Sequence, residues 1–238
     1  MEDELEKSVD SILKASWDLT DGQVVPESKD LALGNAGRKL EVTILYADLA
    51  DSTELAMYDQ QIAAEVYKSY LLGTTKIIKS QGGQIRSFDG DRVMGVFIGN
   101  SKNTSAAKAA LKINYFFGQI LQPKFSAFYP AIASSSFKFA QSVGIDTGEV
   151  RAARAGVRVD NDLIWVGGPA DIAAKLSSIR EPGFSSYITK AVYDMLHESA
   201  KMFNTSSMWE SRTWPNGQQY GRGAIYRSSW RVRPSYNL

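Results

Sequence analysis

Apolar residues recur with a helical period at the start of the chain, where Leu5, Val9, Ile12, Leu13 and Trp17 share one face. The spacing predicts a short amphipathic helix that has to pack on something. Residues 18–38 break the pattern with Asp21-Gly22, Pro26, Ser28, Gly34 and Gly37, and read as a linker. The chain therefore divides into an N-terminal helix and linker over residues 1–38 and one domain over residues 39–238. From Glu41 the run VTILYA is β-rich, which predicts a buried strand ending at Asp48 with its polar end facing a site. Ser52 or Thr53 can cap the next helix, and Leu55, Ile62, Val66, Tyr70, Ile77 and Ile78 carry its apolar face to Gly82-Gly83, so one helix is expected over about residues 53–80. QIRSFDGDRVMGVF reads as a hairpin around Asp89-Gly90. A second helix is expected over about residues 102–121, a strand and turn in FKFAQSVGIDTGEV, extended segments in GVRVDNDLIWVG and a helix in PADIAAKLSSI. The aromatic, turn-rich stretch from Trp209 to Arg233 predicts a last hairpin. The order is β-α-β-β-α-β with appendages, an α+β fold of ferredoxin-like type.

Composition narrows what such a fold could do. In 238 residues, 44% hydrophobic content fills a single core and leaves two full domains cramped. No segment approaches the unbroken run of about 20 apolar residues that a membrane helix requires. The opening MEDELEKSVD is acidic where a secretory signal is basic and then apolar, so a cytoplasmic protein is expected. With no cysteine and the single histidine His197, disulfides, thiolate-metal sites and a Ser/His/Asp triad lack their residues. A formal charge of +1 argues for neither nucleic acid nor an anionic membrane as partner. Residues 1–20 carry six acids, whereas residues 201–238 carry Lys201 and five arginines against Glu210 alone; the two ends attract each other within or between chains, the basic tail sits near a polyanionic ligand, or both ends are simply solvated.

Chemistry then rests on carboxylates, hydroxyls, cations and backbone. Asp48 ends the first core strand, and Asp91 follows the turn of a hairpin that would pair beside it. Two carboxylates at neighbouring strand ends can hold Mg²⁺ or Mn²⁺, since hard cations take oxygen ligands and keep waters or substrate phosphates for the rest of their shell. Taken singly, each also fits a duller role: Asp48 as a helix cap, Asp91 as a turn residue. After Asp48, the stretch Leu49, Ala50, Asp51, Ser52 and Thr53 places backbone N–H groups and hydroxyls where a phosphate could sit. There is no Walker A loop and no G-x-G-x-x-G after a strand. His197 fits a helix end, and Trp209, Trp214 and Trp230 fit C-terminal packing.

Four blocks in order carry a family resemblance. VTILYADLADST resembles the F-x-D-I-x-x-S-T segment of class III nucleotidyl cyclases, GGQIRSFDGDRVMGVF their Gly-Asp hairpin, VGIDTGEV their G-I-H-x-G-x-V strand, and GGPADIAAKL their fourth-block helix. The resemblance implies a cyclase catalytic domain that makes a 3′,5′-cyclic nucleotide from a nucleoside triphosphate, with two Mn²⁺ or Mg²⁺ ions on Asp48, Asp91 and the Leu49 carbonyl. It also implies a homodimer with two composite sites, in which the metal aspartates and the fourth block of one site come from different chains.

The departures from the family pattern bear on the base. Ser87 stands where adenylyl cyclases carry a purine-reading Lys, and Ile164 where they carry the partnering Asp. The transition-state Asn and Arg of the family fall on Asp171 and Lys175, and its phosphate-binding Arg falls on Ser142, so Arg151 and Arg154 become candidates for the missing cation. With its altered purine pocket, the chain resembles the pyrimidine cyclases of the bacterial Pycsar antiphage system. That likeness implies UTP or CTP as substrate, UTP being the one favoured, and a separate effector that reads the cyclic nucleotide; a purine cyclase with an unusual pocket and a degenerate cyclase domain that binds nucleotide without turnover are the alternative readings. Tyr46 shares the strand face of Asp48 and is either a nucleotide contact or a core aromatic; Arg86 is either a base or phosphate contact or an exposed cross-strand charge.

Overall fold

The structure, a computed structural model, describes residues 1–134, 137 and 139–234. It opens with α1 (Glu2–Lys14), β1 (Asp18–Asp21) and β2 (Ala36–Ala50), followed by α2 (Ser52–Tyr58) and α3 (Gln60–Ser80). The hairpin strands β3 (Gln84–Asp89) and β4 (Arg92–Phe97) lead into α4 (Lys102–Phe116), which runs through a π-helical turn at Phe117–Leu121 into α5 (Gln122–Phe128) and α6 (Pro130–Ala133). Then come β5 (Ala140–Gly156), β6 (Asn161–Val166), α7 (Gly168–Ser177), β7 (Ser186–Thr189), α8 (Lys190–Asp194) and α9 (Glu198–Lys201). Two short pairs close the chain: β8 (Met202–Phe203) with β9 (Ser206–Ser207), and β10 (Glu210–Thr213) with β11 (Ala224–Ser228). Lys138, within the strand expected from Phe137, lies outside the described residues, as do residues 235–238.

Strands β5-β2-β4-β3 are neighbours in that order, each pair antiparallel, which is the ferredoxin-like arrangement. β7 extends the sheet parallel to β5, and β11 and β10 extend it further. The two-residue period of β2 sorts its side chains between two cores. Leu45, Ala47 and Leu49 join the cluster beneath α3 and α4, while Leu40, Val42 and Ile44 join Ala170 and Ala173 of α7 on the other face. Tyr46 and Asp48 continue that second face, so the strand that anchors the core also aims its polar end toward α7. Gly144 of β5, opposite Tyr46, lets α7 lie directly on the sheet: a Cβ there would stand 2.2 Å from the Ala173 carbonyl oxygen and 2.3 Å from the Ser177 nitrogen.

Several expectations change. The helix expected over residues 53–80 is two helices, because Asp59 is extended and its carboxylate accepts from the Gln61 and Ile62 N–H groups, capping α3. The stretch read as a linker contains β1, paired parallel with the start of β2. No residue of α1 is buried; Asn35 ties the helix end down by donating to the Ile12 and Ala15 carbonyls at 2.7 and 2.8 Å. Among the described residues of this chain, no basic residue of the C-terminal stretch pairs with an acid of residues 1–20. Arg212 and Arg227 pair with Glu181, and Arg222 pairs at 3.1 Å with Asp146, a fully buried carboxylate that also accepts from the Thr189 hydroxyl. Trp209 and Trp214 are buried in packing contacts. No helix among the described residues is long and apolar enough to cross a membrane.

Candidate active site

The register of β2 with β4 sets Ala47 opposite Val93, which brings Asp48 to the mouth of the β3–β4 hairpin. That hairpin turns on Gly90 and Asp91, with Gly90 at φ 59°, a left-handed conformation glycine adopts without strain. Burial pushes the Asp91 carboxyl above its usual range; a hydrogen bond from Ser52 opposes the shift and the charge of Asp48 adds to it. One oxygen of Asp91, Oδ2, is buried and has no hydrogen-bond partner. Asp48 is satisfied by two arginines instead. Arg180 donates from Nη2 to Oδ2 at 2.9 Å, and Arg92 approaches Oδ1 from Nε at 3.4 Å. The same Arg180 nitrogen lies 3.4 Å from the Leu49 carbonyl oxygen.

These atoms fit a hard divalent ion. Two carboxylates and a carbonyl supply oxygen alone, the donor type Mg²⁺ and Mn²⁺ prefer, and an orphaned buried carboxylate oxygen is a group in need of a cation. The Arg180 guanidinium already puts positive charge between Asp48 Oδ2 and the Leu49 carbonyl. Among the described residues no cluster of three or more His, Cys, Asp or Glu forms, so any ion here would complete its shell from outside the side chains. Beside Asp48 on β5, Ser142 is buried with its hydroxyl unpartnered.

A second group lies along one row of the sheet. Tyr46 pairs with Met94, and Met94 pairs with Ser87, because a β-bulge between Ile85 and Ser87 drops Arg86 out of the ladder. Directly paired residues project to the same face, so the bulge sets Ser87 and Tyr46 on either side of Met94. Tyr46 donates to Met94 Sδ at 3.3 Å. Burial raises its pKa; Arg92 opposes that shift, and Asp171 and Asp89 reinforce it. Arg86 turns its head to Gln84 Oε1 at 2.5 Å.

Of the other candidates, Asp171 lies near enough for its charge to act on Tyr46, and the rest scatter. Asp171 and Lys175 sit one turn apart on the exposed side of α7, with the Lys175 ammonium 5.4 Å from the centre of the Tyr220 ring. Ile164 is 44% exposed on β6 opposite Ala153, far along β5 from Ser142. Arg151 and Arg154 lie on that distant part of β5, about 30 and about 40 Å along an extended strand from Ser142, the residue that pairs with Asp48. Arg154 is spent on Asn161 and the Leu31 carbonyl, so neither arginine reaches the aspartates of its own chain. In the 49–53 stretch Leu49 and Ala50 are buried, Asp51 turns the chain at φ 57°, Ser52 reaches Asp91 and Thr53 is exposed. The Tyr67 hydroxyl donates to the Ser52 carbonyl at 2.7 Å and holds that turn. Nothing in the sequence marks Arg180, which there is only a basic residue beyond a helix, a common and uninformative position.

No family model matches the chain. Curated relatives do: a uridylate cyclase of Xanthomonas perforans is 43% identical over 235 residues, spanning 98% of both chains, and a uridylate cyclase of Rhodovulum sp. (strain MB263) is 37% identical over 99% of this chain and 98% of its own length. Among solved structures, a bacterial light-regulated adenylyl cyclase matches with a TM-score of 0.67 at 18% identity, covering 84% of this chain and 54% of its own. The adenylyl cyclase CyaB from P. aeruginosa matches with a TM-score of 0.61 at 21% identity, covering 85% and 98%. Both similarities speak to the fold.

Proposed function

The chain belongs to the uridylate cyclase family, and from that premise we propose that it converts UTP to 3′,5′-cyclic UMP and pyrophosphate at Asp48 and Asp91. The observation that carries the reading is the Asp91 carboxylate, held beside Asp48 with one buried oxygen unpartnered. Asp48, Asp91 and the Leu49 carbonyl would hold Mn²⁺ or Mg²⁺, two ions per site by the family resemblance, and the bound ions would supply Lewis-acid stabilisation of the polyphosphate charge and acidify the attacking hydroxyl. In the reaction the 3′-hydroxyl oxygen bonds to the α-phosphorus, the bond to the β-phosphate oxygen breaks, and the hydroxyl proton is released.

Each residue has a task in this reading. Asp48 and Asp91 fix the charge pattern that receives the triphosphate, and Ser52 orients Asp91. Leu49, Ala50, Asp51 and Thr53 shape the turn at the phosphates. Tyr46 and Ser87, on either side of Met94, face the base, with Arg86 at the bulge beside them. Neither Ser87 nor Ile164 supplies the charged pair with which adenylyl cyclases read a purine, and a purine edge left unpaired costs discrimination by orders of magnitude. On the same resemblance, the product serves as a messenger to a separate effector in cytoplasmic antiphage defence. Incubating the protein with ATP, GTP, CTP and UTP separately in Mn²⁺ and identifying products by mass spectrometry should give cyclic UMP with the highest kcat/KM. ATP as the best substrate would remove the pyrimidine reading and keep the cyclase.

The second half of the site is proposed to come from a partner subunit. Asp171 and Lys175 are exposed on α7, as a surface offered to another chain has to be, and Lys175 is the cation of the fourth block. Asp171 would contact ribose, and Lys175 the developing phosphate charge. Asp91→Ala and Lys175→Ala homodimers should each be nearly inactive, yet a mixture allowed to exchange subunits should regain activity, because one site of each mixed dimer keeps both residues. Confirmed exchange without recovery would put the site within one chain.

A further inference from the structure

We propose that Arg180 is the triphosphate-binding cation of this site, parked on Asp48 and the Leu49 carbonyl and handed to the substrate when a divalent ion takes those two oxygens. The inference rests on the metal reading above. Its basis is a coincidence of position: a single nitrogen, Nη2, lies 2.9 Å from Asp48 Oδ2 and 3.4 Å from the Leu49 oxygen, the atoms assigned to the ion. A guanidinium and a divalent cation repel, so the two cannot share those atoms. The other terminal nitrogen, Nη1, is held at the end of α7 by the Ser177 carbonyl at 2.6 Å and the Ile179 carbonyl at 3.2 Å. Displacement from Asp48 therefore swings the head about a fixed base instead of releasing the side chain into solvent.

The charge count of the site favours such a group in addition to Lys175. Ser142 and Asp171 replace cationic or neutral positions of the family pattern, and Arg151 and Arg154 lie at the far end of β5. Arg92 also meets Asp48, but through Nε at 3.4 Å, and touches neither Oδ2 nor the Leu49 carbonyl. Arg180 is a third exposed, belongs to the chain that carries Asp48, and presents the planar fork that suits phosphate oxygens.

Two binding measurements on the whole chain test this, neither of which reads turnover. Mn²⁺ titrated without nucleotide and followed by electron paramagnetic resonance should bind Arg180→Gln several-fold more tightly than the unaltered protein, because no side chain has to be displaced. With Mn²⁺ saturating, 3′-deoxy-UTP, which lacks the attacking hydroxyl, should bind Arg180→Gln about tenfold more weakly by calorimetry. Arg180→Lys, which keeps the charge without the fork, should lie between the two for nucleotide and guards against a folding artefact. Mn²⁺ affinity unchanged or lowered in Arg180→Gln, or 3′-deoxy-UTP affinity unchanged, overturns the role of Arg180 while the metal reading stands. An unaltered protein whose Mn²⁺ binding equals that of Asp91→Ala overturns both.

Discussion

Asp91→Ala should lose cyclic-nucleotide formation by at least about a hundredfold at saturating Mn²⁺ while keeping its fold, since it removes a proposed metal ligand and no core volume. Asp48→Ala should lose as much. The two should differ in what they do to the metal-free protein. Asp91 holds a half-buried carboxylate with an unpartnered oxygen near a like charge, so its removal leaves stability unchanged or raised by up to about 1 kcal/mol after solvent screening. Removing Asp48 strips Arg180 and Arg92 of their shared partner and should cost about 1 kcal/mol, both arginines being about a third exposed. Thermal unfolding in chelator reads the difference in sign. Substantial turnover by Asp91→Ala would end the metal assignment, and equal destabilisation by both would contradict the account of the apo site.

Gly144→Ala should destabilise the domain by about 3 kcal/mol or more and depress activity together with it. A methyl at this position meets backbone at 2.2 and 2.3 Å, and backbone atoms in a helix yield only if the whole of α7 lifts from β5. α7 carries Asp171 and Lys175 and leads directly to Arg180, so the same displacement moves the residues proposed to meet the ribose and the phosphates. A Gly144→Ala protein with an unchanged unfolding midpoint would show that α7 is free to move.

The order of elements was legible in the chain because each depends on neighbours in sequence. The β-rich run to Asp48, the Asp-Gly hairpin, and the Pro169 helix start are local signals, and their succession gave the ferredoxin-like order found in the sheet. The proximity of Asp48 and Asp91 follows from local order too, although β2 runs two residues past the expected end at Asp48: Asp48 lies near the end of β2, and Asp91 follows the turn of the hairpin whose second strand pairs with β2. Local competition explains where that reading failed. Asp59 breaks a helix whose apolar spacing continues across it, since a carboxylate that caps two N–H groups outweighs the period. β1 was hidden because a short strand borrows its stability from a partner already formed. Two features belong to the tertiary structure alone. The bulge at Arg86 decides that Ser87 stands in line with Tyr46, and one residue of register reverses which side chains face the site. Arg180 reaches Asp48 across 132 positions of chain because α7 lies on Gly144, a contact made by packing between elements far apart in sequence, which no periodicity encodes.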